Sequence, residues 1–351
     1  MPLLFLLLAC LAAAQEFKPH DIATGLRGGY QVVPYDMNND GKPDLIALAS
    51  GMPELVWYEN PTWERHVIAG PFPRMINLAI DNPNQIALAY AFENVAAKSI
   101  GNLAILNLKD SKWTATEIDK IPTSHRLRWA DLFGTGNKVL INSVLTNAKA
   151  EPPDYKGDTP LYYYDPRDWK RQSIPVQNQG VVHGIYITRW DNDKRDDVIT
   201  ASFSGIHVHM WNKQWKREEI SNINTSDVAI GHIKKDRFIA AIEPWHGNTV
   251  SVYEGKQRTV IDSSLADGHT IVTADFDKDG VDEIIAGCRQ GPKSVFLYKR
   301  EKTGWTKRTL DAEMPAAACV ALDLNGDKRI DIACIAAGNQ TLRWYENTGP
   351  R

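Results

Sequence analysis

Three turns in the sequence carry oxygen-bearing side chains at alternate positions, a pattern that binds Ca²⁺. Each turn has Asp or Asn at its first, third and fifth positions and a further acidic residue eight positions after the first. Alternate oxygens converge on one point when such a loop folds tightly, and the later carboxylate closes the coordination shell. We expect a structural calcium ion in each turn. The predicted ligands are Asp36, Asn38, Asp40 and Asp44 in the first turn, Asp275, Asp277, Asp279 and Glu283 in the second, and Asp323, Asn325, Asp327 and Asp331 in the third.

A fourth turn is a weaker calcium candidate. It holds Asp191, Asp193 and Asp197, but Arg189 stands where the first carboxylate should be, and its cationic side chain could replace the ion. The alternative interpretation of these turns is that Asp and Asn simply favour tight turns. That alternative does not explain the acidic residue that recurs at a fixed distance from the start of each turn.

Four histidines form a second group that could do chemistry. His125, His183 and His269 each precede an apolar strand, and His246 follows one in a loop. Neutral imidazoles from separate strands that meet at an opening to water are the ligands that a catalytic Zn²⁺ needs. The alternative is that each histidine is a hydrogen-bonded polar residue that closes the end of a strand.

Charged and aromatic residues that could contact a ligand are predicted near these histidines. They are Glu243, Arg126, Arg128, Arg289 and Trp245. A long insertion between strands adds Tyr155, and such loops commonly carry binding residues. Cys288 could serve as a soft metal ligand.

The elements that must position these residues recur along the chain. A segment of the form aromatic-x-x-x-x-aliphatic appears seven times, twice in weaker form, at intervals of 41 to 56 residues. Each interval also contains two short apolar strands joined by a turn, followed by a third strand with alternating aromatic residues. This period matches the four-stranded blades of a propeller, whereas helical repeats would show apolar residues at a 3.6-residue spacing.

The first copy of the segment, at residues 17–22, has no strands before it, and the sequence ends after Asn347 with three strands that lack an outer one. We therefore predict one all-β domain, residues 15–351, folded as a seven-bladed β-propeller of four-stranded antiparallel blades. The N-terminal strand completes the last blade, which removes an open sheet edge. The acidic turns then lie on one face, and the four histidines converge near the central funnel on the other.

Composition and the ends of the chain set further limits. A net charge of −3 gives no electrostatic reason to expect a nucleic acid partner. Residues 1–14 combine an apolar run, too short to span a bilayer, with a small-residue cleavage site. We therefore expect an export signal, a periplasmic or secreted mature chain, and no integral membrane segment after its removal. Lipidation at Cys10 is an alternative.

Cys319 and Cys334 fall opposite each other in a predicted hairpin, where a disulfide would be strained, so two buried thiols are expected.

Two resemblances follow from these motifs. The acidic turns resemble the calcium loops of FG-GAP or VCBS propeller repeats. The segments at 125–131, 183–185, 243–247 and 268–269 resemble the propeller domain of the aldos-2-ulose dehydratase family. The second resemblance implies a zinc ion in the propeller funnel and the elimination of water from keto-sugars such as 1,5-anhydrofructose. With the loop placement, it favours His183, His246 and His269 as zinc ligands and His125 as a fourth ligand or a base.

The function predicted from the sequence is therefore a metal-dependent carbohydrate lyase. A metal bound to a ketone oxygen stabilises the enolate that forms when an adjacent proton is removed. Glu243 or His125 would take that proton, and Arg126 and Arg289 would orient hydroxyl groups or stabilise developing charge. The alternatives are a non-catalytic, calcium-stabilised propeller that binds a glycan or a protein, and a polysaccharide lyase.

Overall fold

The computed structural model describes residues 16–177, 179–291 and 293–349. The predicted export signal at residues 1–14, with Cys10, lies outside these ranges. Regular structure in the described chain consists of 28 strands and one 3₁₀ turn, Ala96–Lys98.

The strands divide the chain at short intervals. The first fourteen are β1 (Phe17–Ala23), β2 (Gly29–Tyr35), β3 (Asp44–Ala49), β4 (Leu55–Glu59), β5 (Glu64–Ala69), β6 (Asn77–Asn82), β7 (Gln85–Tyr90), β8 (Asn102–Lys109), β9 (Lys112–Lys120), β10 (Ser124–Ala130), β11 (Val139–Val144), β12 (Leu161–Tyr164), β13 (Arg171–Ile174) and β14 (Val182–Thr188). The other fourteen are β15 (Asp197–Ser202), β16 (Gly205–Trp211), β17 (Trp215–Ser221), β18 (Asp227–Ile233), β19 (Asp236–Glu243), β20 (Thr249–Glu254), β21 (Gln257–Asp262), β22 (Gly268–Ala274), β23 (Glu283–Cys288), β24 (Val295–Glu301), β25 (Gly304–Asp311), β26 (Ala316–Leu322), β27 (Asp331–Ala336) and β28 (Leu342–Asn347).

Seven four-stranded antiparallel sheets form the blades of a propeller, as predicted. Blade one is β2-β3-β4-β5, and blades two to six follow in the same order along the chain. The second strands of the blades, such as β3, β15 and β27, are buried from end to end because neighbouring sheets cover both of their faces. The outermost strands, such as β21, are largely exposed.

The N-terminal strand closes the ring. β1 pairs with β28 in an antiparallel register that runs from Phe17 opposite Asn347 to Asp21 opposite Arg343, and blade seven has the order β1-β28-β27-β26. Pairing across the two ends of the chain leaves the outer edge of blade seven no different from that of the other blades. The predicted closure is therefore confirmed.

A β-bulge at the start of the first strand recurs in five of the seven blades. In each case the second residue of the strand has no partner in the register with the second strand, and a bulge of this kind redirects the side chain that it carries. The residues at these positions are Tyr30, His125, His183, His269 and Ala317. One structural device therefore delivers three of the four singled-out histidines to the centre of the ring.

Cys319 and Cys334 form a disulfide, so the prediction of two buried thiols is wrong. They are directly opposite each other in the β26–β27 register, with Cα atoms 4.1 Å apart. Directly opposed residues of an antiparallel pair come this close at the narrow sites of the ladder, which brings the two sulfur atoms within bonding reach. Cys288 is a buried free thiol.

Membrane-spanning helices are not found in the described part of the chain: none of its helical segments has the length and apolar character that a crossing requires.

Buried asparagines link the acidic turns of consecutive blades. The side-chain amide of Asn347 donates to the carbonyl oxygens of Phe276 (2.9 Å) and Ile330 (3.1 Å), while its backbone N–H donates to Asp331. Asn60 links Asp44 to the Leu324 carbonyl in the same way. Blades six, seven and one are therefore joined across the seam where the chain ends meet.

We expect Asn347→Ala to lower the free energy of unfolding by about 1–3 kcal/mol, because two buried carbonyl groups lose their hydrogen-bond donor. Chemical denaturation measures this change, and Asn137→Ala, at an exposed position, is the control. Equal stability of the two variants would show that the link across the seam contributes nothing.

Candidate functional site

A funnel of about 570 Å³ opens at the centre of one face of the propeller. Tyr30, His125, His183 and His269 line it from the bulged starts of their strands, and His246 enters from the loop that joins β19 to β20. The three acidic turns follow the opposite ends of first strands, namely β2, β22 and β26. The predicted convergence of the four histidines, away from the acidic turns, is thus what the structure shows.

The loop that carries His246 folds back tightly on itself. Gly247 N–H donates to the Pro244 carbonyl at 2.7 Å, and His246 adopts a left-handed φ of +49°. A Cβ at Gly247 would overlap the Pro244 nitrogen, so only glycine fits. The backbone N–H of His246 donates to Ser226 Oγ at 3.2 Å, which anchors the loop to the start of blade five.

Three imidazoles form a compact group at the floor of the funnel. One ring nitrogen each from His183, His246 and His269 lies within 4.8 Å of the other two. His183 Nδ1 donates to the Ser226 carbonyl at 3.1 Å, and His269 Nδ1 donates to the Ala317 carbonyl at 2.6 Å. A proton held on Nδ1 leaves a lone pair on Nε2, the arrangement found in metal-bound histidines.

A carboxylate and an arginine adjoin the third imidazole. His246 Nδ1 lies 3.1 Å from Asp267 Oδ1 and 3.1 Å from Arg289 Nη2, and Arg289 also pairs with Asp267. In the tautomer that donates from Nδ1 to Asp267, Nε2 of His246 also carries a lone pair. A carboxylate behind a histidine is a common orienting partner at metal sites.

The surroundings keep these imidazoles neutral. Burial lowers the pKa of His183 and His269 well below the ordinary value, and the nearby guanidinium groups of Arg126 and Arg289 lower it further. Burial and Arg289 lower the pKa of His246 to about 4. Neutral histidines are the form that binds a metal ion.

The three histidines fit a zinc ion on two observations. Nε2 of His269 is buried and has no hydrogen-bond partner among the described residues. Nε2 of His183 and Nε2 of His246 face each other at 3.2 Å, close to the ~3.3 Å that two nitrogen ligands of one tetrahedral zinc would have. A buried lone pair without a partner costs free energy. Two ring nitrogens that face each other also cost free energy unless a cation or a proton lies between them.

His125 does not belong to the three-histidine group. Its Nε2 accepts hydrogen bonds from the Tyr30 hydroxyl at 2.9 Å and from Arg126 Nη1 at 3.1 Å. Arg126 Nη1 also donates to the Tyr30 oxygen at 3.2 Å. Of the two predicted roles, fourth ligand and base, the position beside Tyr30 favours the base. Tyr30 was not singled out from the sequence. The one sequence feature that could have indicated it is its position at the start of a first strand, which is the position that the strand-start histidines occupy.

Glu243 points away from the funnel. The prediction that it lies beside the histidines as a base is therefore corrected. Its carboxylate accepts from Ser251 Oγ at 2.8 Å, from the Tyr253 hydroxyl, and from Arg258 at 2.6 and 2.9 Å. These partners lie on β20 and β21, the two outer strands of blade five. The fully engaged carboxylate stabilises the blade and is not available as a base.

The other predicted contact residues divide between three places. Arg289 and Trp245 line the funnel. Tyr155 lies behind Trp245, with ring centroids 5.8 Å apart, and is not part of the funnel lining. Arg128 lies below the funnel, in a channel along the propeller axis.

Cys288 is packed in a hydrophobic core cluster and is outside the group of metal-ligating atoms.

The acidic turns are folded as the sequence predicts, with carboxylates turned inward. In the first turn, Asp36 accepts from the backbone N–H groups of Asp40 and Gly41, while Asp44 is fully buried and accepts from Met37 and Asn60. The turns at Asp275 and Asp323 repeat these bonds. Ligand oxygens of Asp275, Asp277 and Asp279 lie within 4.8 Å of one another.

Basic side chains contact all four turns, and in the first turn Lys42 lies 3.6 Å from Asp40. Lys299 forms ion pairs with Asp277 and, at 3.1 Å, with Asp279, and lies 3.7 Å from Glu283. Burial, together with the charge of Asp277, raises the pKa of Glu283 to about 8. Arg329 pairs with Asp327 in the same manner.

In the weaker turn, Arg195 pairs with Asp193. Arg189, which the sequence suggested as a replacement for the ion, instead contacts Asp196 at 3.4 Å. Its side chain therefore does not meet Asp191, Asp193 or Asp197.

Solved structures similar to this chain share its fold. The structure titled Dos1 propeller has a TM-score of 0.60 and 8% sequence identity, and the match covers 95% of each chain. The extracellular domain of BT4673 from B. thetaiotaomicron has a TM-score of 0.59 and 13% identity, over 93% of this chain and 39% of that one. This chain therefore spans well under half the length of the second structure. At these identities the likeness establishes the propeller fold alone.

No curated protein sequence matches the chain. The sequence model described as aldos-2-ulose dehydratase, beta-propeller domain, matches residues 99–257. The match contains His125, His183 and His246 and ends before His269. The predicted resemblance to the propeller domain of the aldos-2-ulose dehydratase family is therefore confirmed over this part of the chain.

Proposed function

We propose that this protein is a metal-dependent carbohydrate lyase, a dehydratase that eliminates water from a keto-sugar such as 1,5-anhydrofructose. The observation that carries the proposal is the group of three neutral imidazoles at the floor of an open funnel, with an unpartnered Nε2 on His269. The match to a dehydratase propeller domain over residues 99–257 supports the same reaction class.

His183, His246 and His269 would hold the metal ion, which we propose to be zinc. When bound, zinc supplies a Lewis acid that polarises a ketone oxygen of the sugar. The carbonyls of Ser226 and Ala317 fix the orientation of two of the imidazole rings. Because those ring positions are set by the bulged backbone, the ligand group is preorganised before any metal arrives.

His125 and Tyr30 are the proposed proton-transfer pair. The Tyr30 hydroxyl donates to His125 Nε2, so the tyrosine oxygen can take a proton from a carbon of the sugar while it passes its own hydrogen to the imidazole. The same proton can then be delivered to the hydroxyl group that leaves the sugar as water. Arg126 Nη1 contacts both groups and stabilises negative charge on the tyrosine oxygen as the transfer proceeds. The ring centroids of His125 and His183 are 5.1 Å apart, so in this proposal the base lies close to the histidines that would hold the metal.

The walls of the funnel suit a sugar. Trp245 and Phe92 provide aromatic surface, and Arg289, oriented by Asp267, provides N–H donors for hydroxyl groups. Ordered aromatic rings beside a few fixed polar groups are typical of small-ligand sites. In the proposal these residues bind and orient the sugar while His125 and Tyr30 move the proton.

We also propose that the three acidic turns bind structural Ca²⁺ on the opposite face. Their inward-facing carboxylates and the buried Asp44, Glu283 and Asp331 support this role. The Asn60 and Asn347 links connect these turns across the seam of the ring. Calcium at the turns would stabilise the seam and leave the funnel chemistry unaffected.

Zinc content tests the ligand assignment. We expect the purified protein to bind about one zinc ion per chain, and His183→Ala or His269→Ala to reduce zinc affinity by about 10³-fold or more, because each removes one of three protein ligands. Equilibrium dialysis followed by elemental analysis measures the bound metal. His232→Ala, which changes an exposed histidine on the opposite face, is the matched control. Full zinc occupancy in both funnel variants would contradict the assignment.

Turnover of 1,5-anhydrofructose tests the reaction. We expect ultraviolet absorbance from an unsaturated ketone with the zinc-loaded protein, and Tyr30→Phe to lower kcat by about 10²-fold, because it removes the hydroxyl of the proton-transfer pair. KM and zinc content should change little in this variant. Equal kcat for Tyr30→Phe and the unmodified protein would rule out the pair. Sugar binding without zinc or turnover would identify a glycan-binding propeller instead.

Calcium titration tests the acidic turns. Lys299→Gln should raise the Ca²⁺ affinity of the turn at Asp275 by about tenfold, because it removes a cation that competes for Asp277 and Asp279. Isothermal titration of decalcified protein measures the affinity, with Lys302→Gln, at an exposed position in the same hairpin, as the control. Absence of calcium binding in all three proteins would overturn the calcium proposal.

A further inference from the structure

A second cavity of about 350 Å³ lies along the axis of the propeller. The first strands of all seven blades contribute to its wall. Tyr30 and His269 line both this axial channel and the funnel, so the two cavities adjoin at the level of the histidine group.

Three charged side chains face the channel and are not paired with one another. Arg126 and Arg128 come from β10, two positions apart and hence on the same side of that strand, and Asp227 comes from β18. Within the described residues Asp227 makes no ion pair with either arginine. Its carboxylate accepts a hydrogen bond from the adjacent Val228 N–H. Two guanidinium groups against one carboxylate leave the channel with an excess positive charge.

Both arginines leave the same edge of the guanidinium group unused. The hydrogen bonds of Arg126 to Tyr30 and His125 come from Nη1, and those of Arg128 to Leu127 and Asn77 also come from Nη1. In residues 16–177, 179–291 and 293–349, no acceptor contacts Nε or Nη2 of either side chain, and none of these atoms is sealed into the core. Nε and Nη2 together form the fork that binds both oxygens of a carboxylate.

The electrostatics of the channel agree with a missing anion. Burial and the charge of Arg126 lower the pKa of Arg128 to about 10, and burial raises the pKa of Asp227 to about 6. Each group is therefore less well compensated than it would be in water or in a direct ion pair. A buried cation without a partner carries a desolvation penalty that an incoming oxyanion would offset.

We propose that Arg126 and Arg128 form a subsite that binds the carboxylate of a small organic acid, up to the size of a sugar acid, in the axial channel. The inference goes beyond the proposed dehydratase function and does not depend on zinc. A carboxylate can accept hydrogen bonds from the unused Nε and Nη2 edges of the two arginines, and a small organic acid suits the cavity volume. A neutral sugar would leave the excess positive charge of the channel uncompensated.

Binding of sodium glucuronate to the full-length protein tests this subsite, with glucose as the neutral control and sodium chloride to match ionic strength. We expect isothermal titration to detect glucuronate and to give an affinity at least tenfold higher than that for glucose. Arg128→Gln should weaken glucuronate binding by about tenfold or more, because it removes one charged fork. Arg128→Lys, which keeps the charge but not the fork, should give an intermediate loss. Arg300→Gln, which removes a surface arginine paired with Glu254, should have no effect.

A zinc-deficient variant separates this proposal from the one for the funnel. His183→Ala should bind glucuronate as the unmodified protein does, whatever its zinc content. Unchanged glucuronate affinity in both Arg128 variants, or equal affinity for glucose and glucuronate, would overturn the subsite. Loss of binding in His183→Ala but not in Arg128→Gln would place the carboxylate at the metal, and would also overturn it.

Discussion

The bulge at the start of the first strand is the constraint on which the functional face depends. A regular antiparallel strand alternates its side chains between the two neighbouring blades. One extra residue at the strand start changes this, because the bulged residue has no partner and its side chain turns toward the centre. Tyr30, His125, His183 and His269 all use this position. The ring of blades thus brings residues that are far apart in the chain together in one cluster.

The two faces of the propeller divide stability and chemistry. On the face of the acidic turns, buried carboxylates and the asparagine links join blades six, seven and one, which are the blades on either side of the chain ends. On the funnel face, three buried atoms have no hydrogen-bond partner among the described residues: Nε2 of His269, Nδ1 of His125 and Nε1 of Trp245. Such atoms cost free energy, and a ligand bound in the funnel would offset that cost.

Much of this arrangement could be predicted from the sequence because it depends on repetition. The spacing of the aromatic segments determines the number of blades, and the orphan strand at Phe17 indicates how the ring closes. Strand topology then assigns turns and strand starts to opposite faces, which predicted the convergence of His125, His183, His246 and His269 without any knowledge of side-chain positions.

What the sequence could not supply is the direction of individual side chains. Glu243 precedes His246 by three residues, yet its position at the end of β19 turns it outward to Arg258. Arg126 and Arg128 were both predicted beside the histidines, yet both line the axial channel below the funnel.

Tyr30 was missed because an aromatic residue at a strand start is ordinarily part of the core. The position of the Tyr30 side chain depends on a single-residue bulge, which a sequence repeat does not reveal. The disulfide was missed for a different reason: the sequence placed Cys319 and Cys334 opposite each other, but a bond between opposed strand residues was expected to be strained.

Anomalous X-ray diffraction at the zinc absorption edge, on crystals of the zinc-loaded protein, would show whether the three funnel histidines bind one metal ion. We expect one strong peak in the funnel, at about 2.0–2.1 Å from Nε2 of His183, His246 and His269. An empty funnel in such crystals, or a peak bound elsewhere while the three imidazoles point apart, would contradict it.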